Sequence, residues 1–371
     1  MKKHQWILAV VVVAALAALA FWARHRIHFD FGAFRAQLAL ADWRRILLGA
    51  GCIYTAYAFR SVRWAFLLRH TKKVGPLSLL GTQVMGFTAV ALIGRVADPV
   101  RPYLVAKKTG LPLGGQIAVY IVERLMDAGS MALIFSIAMI WIPADAILQA
   151  TAHSGWSADL ALHHRFLALL AARFGGLALT VLGALFLVAV RLSGGAVAAF
   201  FEHVLSPVSK NLAHSVGHKV RTFHSGLDTM RSFSDFLIAA SLSIAMWLLI
   251  SLSYLEVCRA FVASPQLTAI TLPKCVLLMI ASGGASIFQL PVIGWFSQIG
   301  LVAVALAAVL GASAEAATAC GATLLLVTFL SIVPVGLVWA QVENVSLRKV
   351  TVESEQAEEE LAVEDGAGTT E

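Results

Sequence analysis

Charge is what this sequence has least of: Asp, Glu, Lys and Arg together make up 13% of its 371 residues, about half the share usual in a soluble domain. Set beside 59% hydrophobic residues, that scarcity excludes an ordinary soluble protein, and several apolar runs approach the ~20 residues a bilayer span needs. A set of spans leaves no room for a separate catalytic domain of ~100 residues. Cysteine is scarce too. Cys52, Cys258, Cys275 and Cys320 lie scattered in apolar segments with no pair at metal-ligand spacing, so they read as small core residues rather than a disulfide or zinc framework. Phosphate-cradling and dinucleotide-binding glycine motifs are absent, which excludes ATP hydrolysis by this chain. No Ser/His/Asp or Cys/His grouping stands out. His214 and His218, four apart, lack a carboxylate or cysteine neighbour. The expectation is therefore no enzyme, no catalytic residue, no cofactor, no metal and no nucleic-acid partner.

What charge there is lies unevenly. Eight of the 21 acids, from Glu353 to Glu371, follow the last base, Lys349. Residues 1–350 thus hold 28 bases against 13 acids, an excess suited to cytoplasmic loops facing anionic lipid. Residues 341–371 read as a disordered acidic tail.

Apolar windows fall at 5–23, 46–68, 77–94, 113–142, 166–190, 235–258, 270–289, 296–311 and 316–340. The first, behind a basic flank, reads as an uncleaved span, so that 1–45 comprises that span and a connecting loop. The third contains Gly81, Thr82, Gln83, Gly86 and Thr88 and is flanked by bases on both sides: Arg60, Arg63, Arg69, Lys72 and Lys73 before it, Arg95, Arg101, Lys107 and Lys108 after. Bases on both flanks predict that it enters and leaves on the cytoplasmic side as a broken or re-entrant segment, buried in protein or lining a cavity. The expected fold is all-α and polytopic, with about eight transmembrane helices and both termini cytoplasmic. Residues 46–340 would form the membrane domain. An amphipathic cytoplasmic insert at 194–231, broken at Pro207 and Gly217, would pack on the bundle or lie in the headgroup layer.

A second interrupted region spans 281–300, where Gly283, Gly284, Pro291 and Gly294 sit in apolar surroundings. Two interrupted segments, one in each half, point to a transporter's central site.

Glu123, Arg124 and Asp127 of VERLMD fall well inside the fourth window. A charge at the bilayer centre costs about 2.5–3.5 kcal/mol, so these three must find partners. Arg95 and Arg101 are the expected partners of Glu123 and Asp127, and Arg60 or Arg124 of Asp98. Pro99 and Pro102 are expected to prevent one continuous helix there. Two readings stay open: a purely structural ion network, or arginines left partly free to grip an anion with a bidentate fork.

The order of motifs resembles the lysylphosphatidylglycerol synthase transmembrane-region family, flippase-like proteins akin to the amino-terminal membrane half of the bacterial multiple peptide resistance factor. The likeness is carried by RSVRW (60–64), GRVADPVRP (94–102) followed by AKKTG (106–110), VERLMD (122–127) and the glycine-rich approach to PVIGW (282–295). Two positions depart from the family pattern. Arg95-Val96-Ala97-Asp98 stands where Arg-x-Gly-Glu is usual, and Gly294-Trp295 where Gly-Gly is usual. The resemblance implies a bacterial inner-membrane protein that flips an anionic phospholipid or glycolipid. Arg60, Arg95, Arg101 and Arg124 would bind the headgroup, and Asp98, Glu123 and Asp127 would pair with or gate them. Gly283, Gly284 and Gly294 would let helices slide past one another. The acidic tail stands where the soluble aminoacyl-transferring domain would follow, so lysyl transfer is not expected. The alternative is a non-transporting lipid-binding subunit or scaffold for a separately encoded membrane-associated transferase.

Overall fold

The computed structural model describes residues 29–143, 158–207, 232–285 and 293–354, with scattered positions between 209 and 220 and residues 356–357. Every regular element among them is helical. Among the described residues three helices are long and apolar enough to cross a membrane: Pro76–Ile93, Phe233–Arg259 and Ala314–Val342. The expected first span, Pro291 and the end of the acidic tail lie outside the described residues.

Acid caps start the first two helices. Asp30 accepts from the amides of Gly32 (2.7 Å) and Ala33 (3.1 Å) to open α1, Phe31–Ala39. Asp42 accepts from Arg44 at 3.0 Å to open α2, Trp43–Leu68, satisfying amides that have no partner inside the helix.

The segment expected to be broken or re-entrant is one unbroken helix, α3, Pro76–Ile93, the first arm of a hairpin. Its glycines serve close approach. A Cβ on Gly81 would stand 2.1 Å from Trp339 Nε1, and one on Gly86 would stand 2.2 Å from Arg101 Cγ. The break comes one residue later, at Gly94, whose φ of +96° is open to glycine and costly for other residues. A 3-10 turn, Arg95–Ala97, leads through Pro99 into α4, Val100–Thr109. Pro102 does not interrupt α4, because it sits in the first turn, where an amide has no helical partner to lose. At the foot of this helical hairpin Lys72 Nζ donates to Thr109 O at 2.6 Å, so the chain returns to the end from which it set out.

Helix α5, Leu113–Trp141, follows, then α6, Ala158–Leu205, kinked at Ser193 (φ −152°, ψ 56°). The start of the expected insert thus continues the preceding helix, and ends just ahead of Pro207. A capping box between Ser232 and Asp235 opens α7, Phe233–Arg259. The rest is α8 (Pro265–Thr268), α9 (Leu272–Ala285), α10 (Ile293–Leu310), α11 (Ala314–Leu325) and α12 (Ile332–Val342), the last two joined by a π turn at Leu326–Leu330. Pro334 explains the π turn: it brings no amide and would crowd the carbonyl of Leu330, so the ladder widens and Ser331 bonds Leu326 O at 2.7 Å.

Residues 347–354 correct the reading of 341–371 as disordered. They are helical, and Leu347 and Val350 pack with Ala97, Val100 and Leu104 of the hairpin. Tyr103 Oη donates to Glu353 at 3.0 Å, and Lys108 pairs with Glu343 at 2.7 Å.

Candidate functional site

Three helices bring the buried charges together. On α2, Arg60 and Arg63 are three residues apart and so share a face. On α5, Glu123 and Asp127 share a face one turn apart, with Arg124 beside them. Helix α4 contributes Arg101. Arg63 holds both acids, Nη2 at 2.6 Å from Glu123 and Nη1 at 2.6 Å from Asp127, and also donates to Ser243 Oγ of α7. Arg101 stands 2.9 Å from Glu123, and its Nε and Nη2 donate to Gln83 Oε1 at 3.1 and 2.6 Å. Arg60 reaches Asp127 at 3.5 Å and Glu123 at 3.7 Å. Arg124 curls back onto Asp127 at 3.2 Å and Glu123 at 3.5 Å. The Phe87 ring lies under two of these cations, 4.9 Å from the Arg60 guanidinium and 4.5 Å from that of Arg101.

Four guanidinium groups therefore converge on two carboxylates. The cluster carries an excess of two positive charges inside a helical bundle, where an uncompensated charge is costly.

Beside it lies a cavity of about 360 Å³. Arg60 and Arg124 reach it from the cluster, Arg95 and Asp98 from the hairpin tip, and Ser282 and Gln298 from α9 and α10. Both interrupted regions thus meet at one hollow. Gln298 Nε2 donates to Ser282 Oγ at 2.7 Å across it.

Of the residues the sequence singled out, Arg60, Arg95, Asp98 and Arg124 line the cavity. Arg101 does not. It is 1% exposed and stands behind the wall, binding the hairpin to α5. The expected pairing of Asp98 with Arg60 or Arg124 is not formed; both arginines take Asp127 and Glu123 instead, because those carboxylates are on the neighbouring helix faces. Arg124 follows Glu123 directly in the chain, and its long side chain swings back onto that acid and onto Asp127. Gly283 faces the cavity with nothing within 4 Å of its Cβ position, so it leaves open space rather than permitting close helix contact. Gly284 lies in the last turn of α9 and Gly294 in the first turn of α10, so both are helical rather than points of rupture.

Arg63 and Gln83 are the residues that sequence reasoning missed. The signal for Arg63 is the i,i+3 spacing in RSVR, obscured because both arginines read as the basic flank of a span. Gln83 carries none beyond being polar in an apolar helix. Among the described residues no three His, Cys, Asp or Glu side chains gather so as to hold a metal ion.

The sequence model described as the lysylphosphatidylglycerol synthase TM region matches residues 6–338. No curated protein and no solved structure matches the chain.

Proposed function

The chain belongs to the lysylphosphatidylglycerol synthase transmembrane-region family, an integral membrane protein concerned with lipid handling, and from that premise we propose that it moves an anionic phospholipid or glycolipid across the bilayer. The observation that carries this reading is the excess of two guanidinium charges beside the cavity. A phosphate headgroup entering the cavity would neutralise that excess and match the guanidinium fork bidentately. Arg60, Arg95 and Arg124, which line the cavity, would bind it; Glu123 and Asp127 would keep the arginines oriented while withholding full neutralisation. Arg63 and Arg101 hold the frame. The protein makes and breaks no covalent bond in this scheme. Its setting is the bacterial inner membrane with both termini cytoplasmic, where anionic lipid and the basic loops meet.

The buried ion pairs of Arg63 and Arg101 favour one competing reading, a lipid-binding subunit for a separately encoded transferase in which the ion network is structural. Reconstitution separates the two. A transporter accelerates exchange of fluorescent phosphatidylglycerol between the leaflets of pure proteoliposomes, and phosphatidylcholine less; a subunit leaves both at the protein-free rate.

A further inference from the structure

A second hollow, of about 470 Å³, runs between α5 and α6 and is walled by Met131, Phe135, Gly175, Gly176 and Ile280. Its inner end reaches Asp127, and it shares Met131 and Trp247 with the arginine-lined cavity. The two hollows are thus neighbours across a ridge of two side chains, one charged and the other walled almost wholly by apolar groups. Their junction has the polarity of an amphiphile, head on one side and chain on the other.

Two adjacent glycines shape the groove in opposite ways. At Gly176 a Cβ would meet Ser136 Oγ at 2.4 Å and Ala132 O at 3.0 Å, so this glycine lets α6 close on α5 and seal the groove along one side. At Gly175 nothing lies within 4 Å of the Cβ position; the missing side chain is free volume that belongs to the groove. Phe174 and Leu177 beside it are exposed apolar residues, 51% and 40%, as suits a mouth that opens on lipid.

We propose that this groove is the acyl-chain slot of the lipid whose headgroup occupies the arginine-lined cavity, so that a chain passes from the bilayer between α5 and α6 with Met131 and Trp247 at the head-to-tail boundary. The inference rests on the lipid-headgroup reading of that cavity and adds where the tail lies. An extended apolar chain is the occupant that fits: among the described residues the groove's walls offer no charge apart from Asp127, whose carboxylate is engaged by arginines.

A phosphatidylglycerol bearing a diazirine midway along one acyl chain, photolysed in proteoliposomes of the full chain, tests this. Adducts should concentrate on Met131–Phe135 and on residues 174–177. Gly175→Leu, which fills open space without a clash, should cut them at least about fivefold. Gly183→Leu is the folding control, because Gly183 lies on the same helix with nothing within 4 Å of its Cβ position and outside the groove; it should leave the adducts unchanged. Adducts spread evenly around the lipid-facing surface, or undiminished in Gly175→Leu, would overturn the slot. Leaflet exchange in the same vesicles keeps the two ideas apart. A labelled groove without exchange upholds the slot and removes transport, whereas exchange with an unlabelled groove removes the slot and upholds transport.

Discussion

Arg63 Nη1 stands 2.6 Å from Asp127 Oδ1, with the two side chains only 1% and 6% exposed. Because the same guanidinium holds Glu123 at 2.6 Å, it is the joint between α2 and α5. Arg63→Ala would leave two carboxylates short of their nearest counter-charge. Breaking a buried pair by removing one partner costs about 3–5 kcal/mol, so the variant should unfold at markedly lower temperature in detergent or fail to accumulate. Arg63→Lys should recover only part of the loss, since an ammonium cannot bridge two acids as a fork. Thermal unfolding of the purified variants provides the check.

Arg124 behaves differently because its side chain is 40% exposed. Its Nη2 is nonetheless buried against Asp127, but both carboxylates keep Arg63 at 2.6 Å without it and the cluster has cations in excess, so Arg124→Gln should keep the unfolding temperature close to that of the parent. Its loss should show in lipid handling instead. The contrast between Arg63 and Arg124 in the same assay separates the frame from the proposed binding face.

Helix α3 packs on α12 through glycine contacts. At Gly336 an added Cβ would lie 1.9 Å from Thr88 Oγ1 and 2.7 Å from Thr88 Cβ, so Gly336→Ala should cost about 1–3 kcal/mol by overpacking. Gly283→Ala, with open space around it, should be neutral or gain up to about 1 kcal/mol from helix propensity. Comparing the two unfolding temperatures tests whether these glycines have the opposite roles assigned to them.

Deleting residues 347–371 should lower stability by about 3 kcal/mol or more, the burial worth of Leu347 and Val350 together. Denaturation of the truncated chain beside the parent provides the check.

The charges were the most legible feature of this sequence. Glu123, Arg124 and Asp127 in an apolar window demanded partners on energetic grounds alone, and Arg101 was among those named for Glu123. Which arginine meets which acid was not legible, because it depends on the rotation of α2 against α5, and Arg63 was hidden in a basic flank. The glycines of α3 were misread for a related reason. A glycine that admits Trp339 or Arg101 looks the same in sequence as one that breaks a helix, and only the partner, some 15 to 258 residues away in the chain, tells them apart. The meeting of the hairpin tip with α9 and α10 followed from two interrupted segments, although the rupture at the first is Gly94 rather than the glycines before it. Residues 347–354 read as tail because eight acids dominate their surroundings, yet two apolar side chains in one helical turn suffice to dock them.

Transbilayer transfer of a fluorescent anionic phospholipid, followed in proteoliposomes by dithionite quenching, tests the proposed activity most directly. The wild-type chain should exceed protein-free vesicles, and Arg60→Gln combined with Arg124→Gln should lower the rate at least about tenfold, the loss of roughly one charged hydrogen bond to the headgroup, while the helical signal in circular dichroism stays intact. A wild-type rate no greater than that of empty vesicles, or a folded double variant that transfers lipid as fast as the wild type, would contradict it.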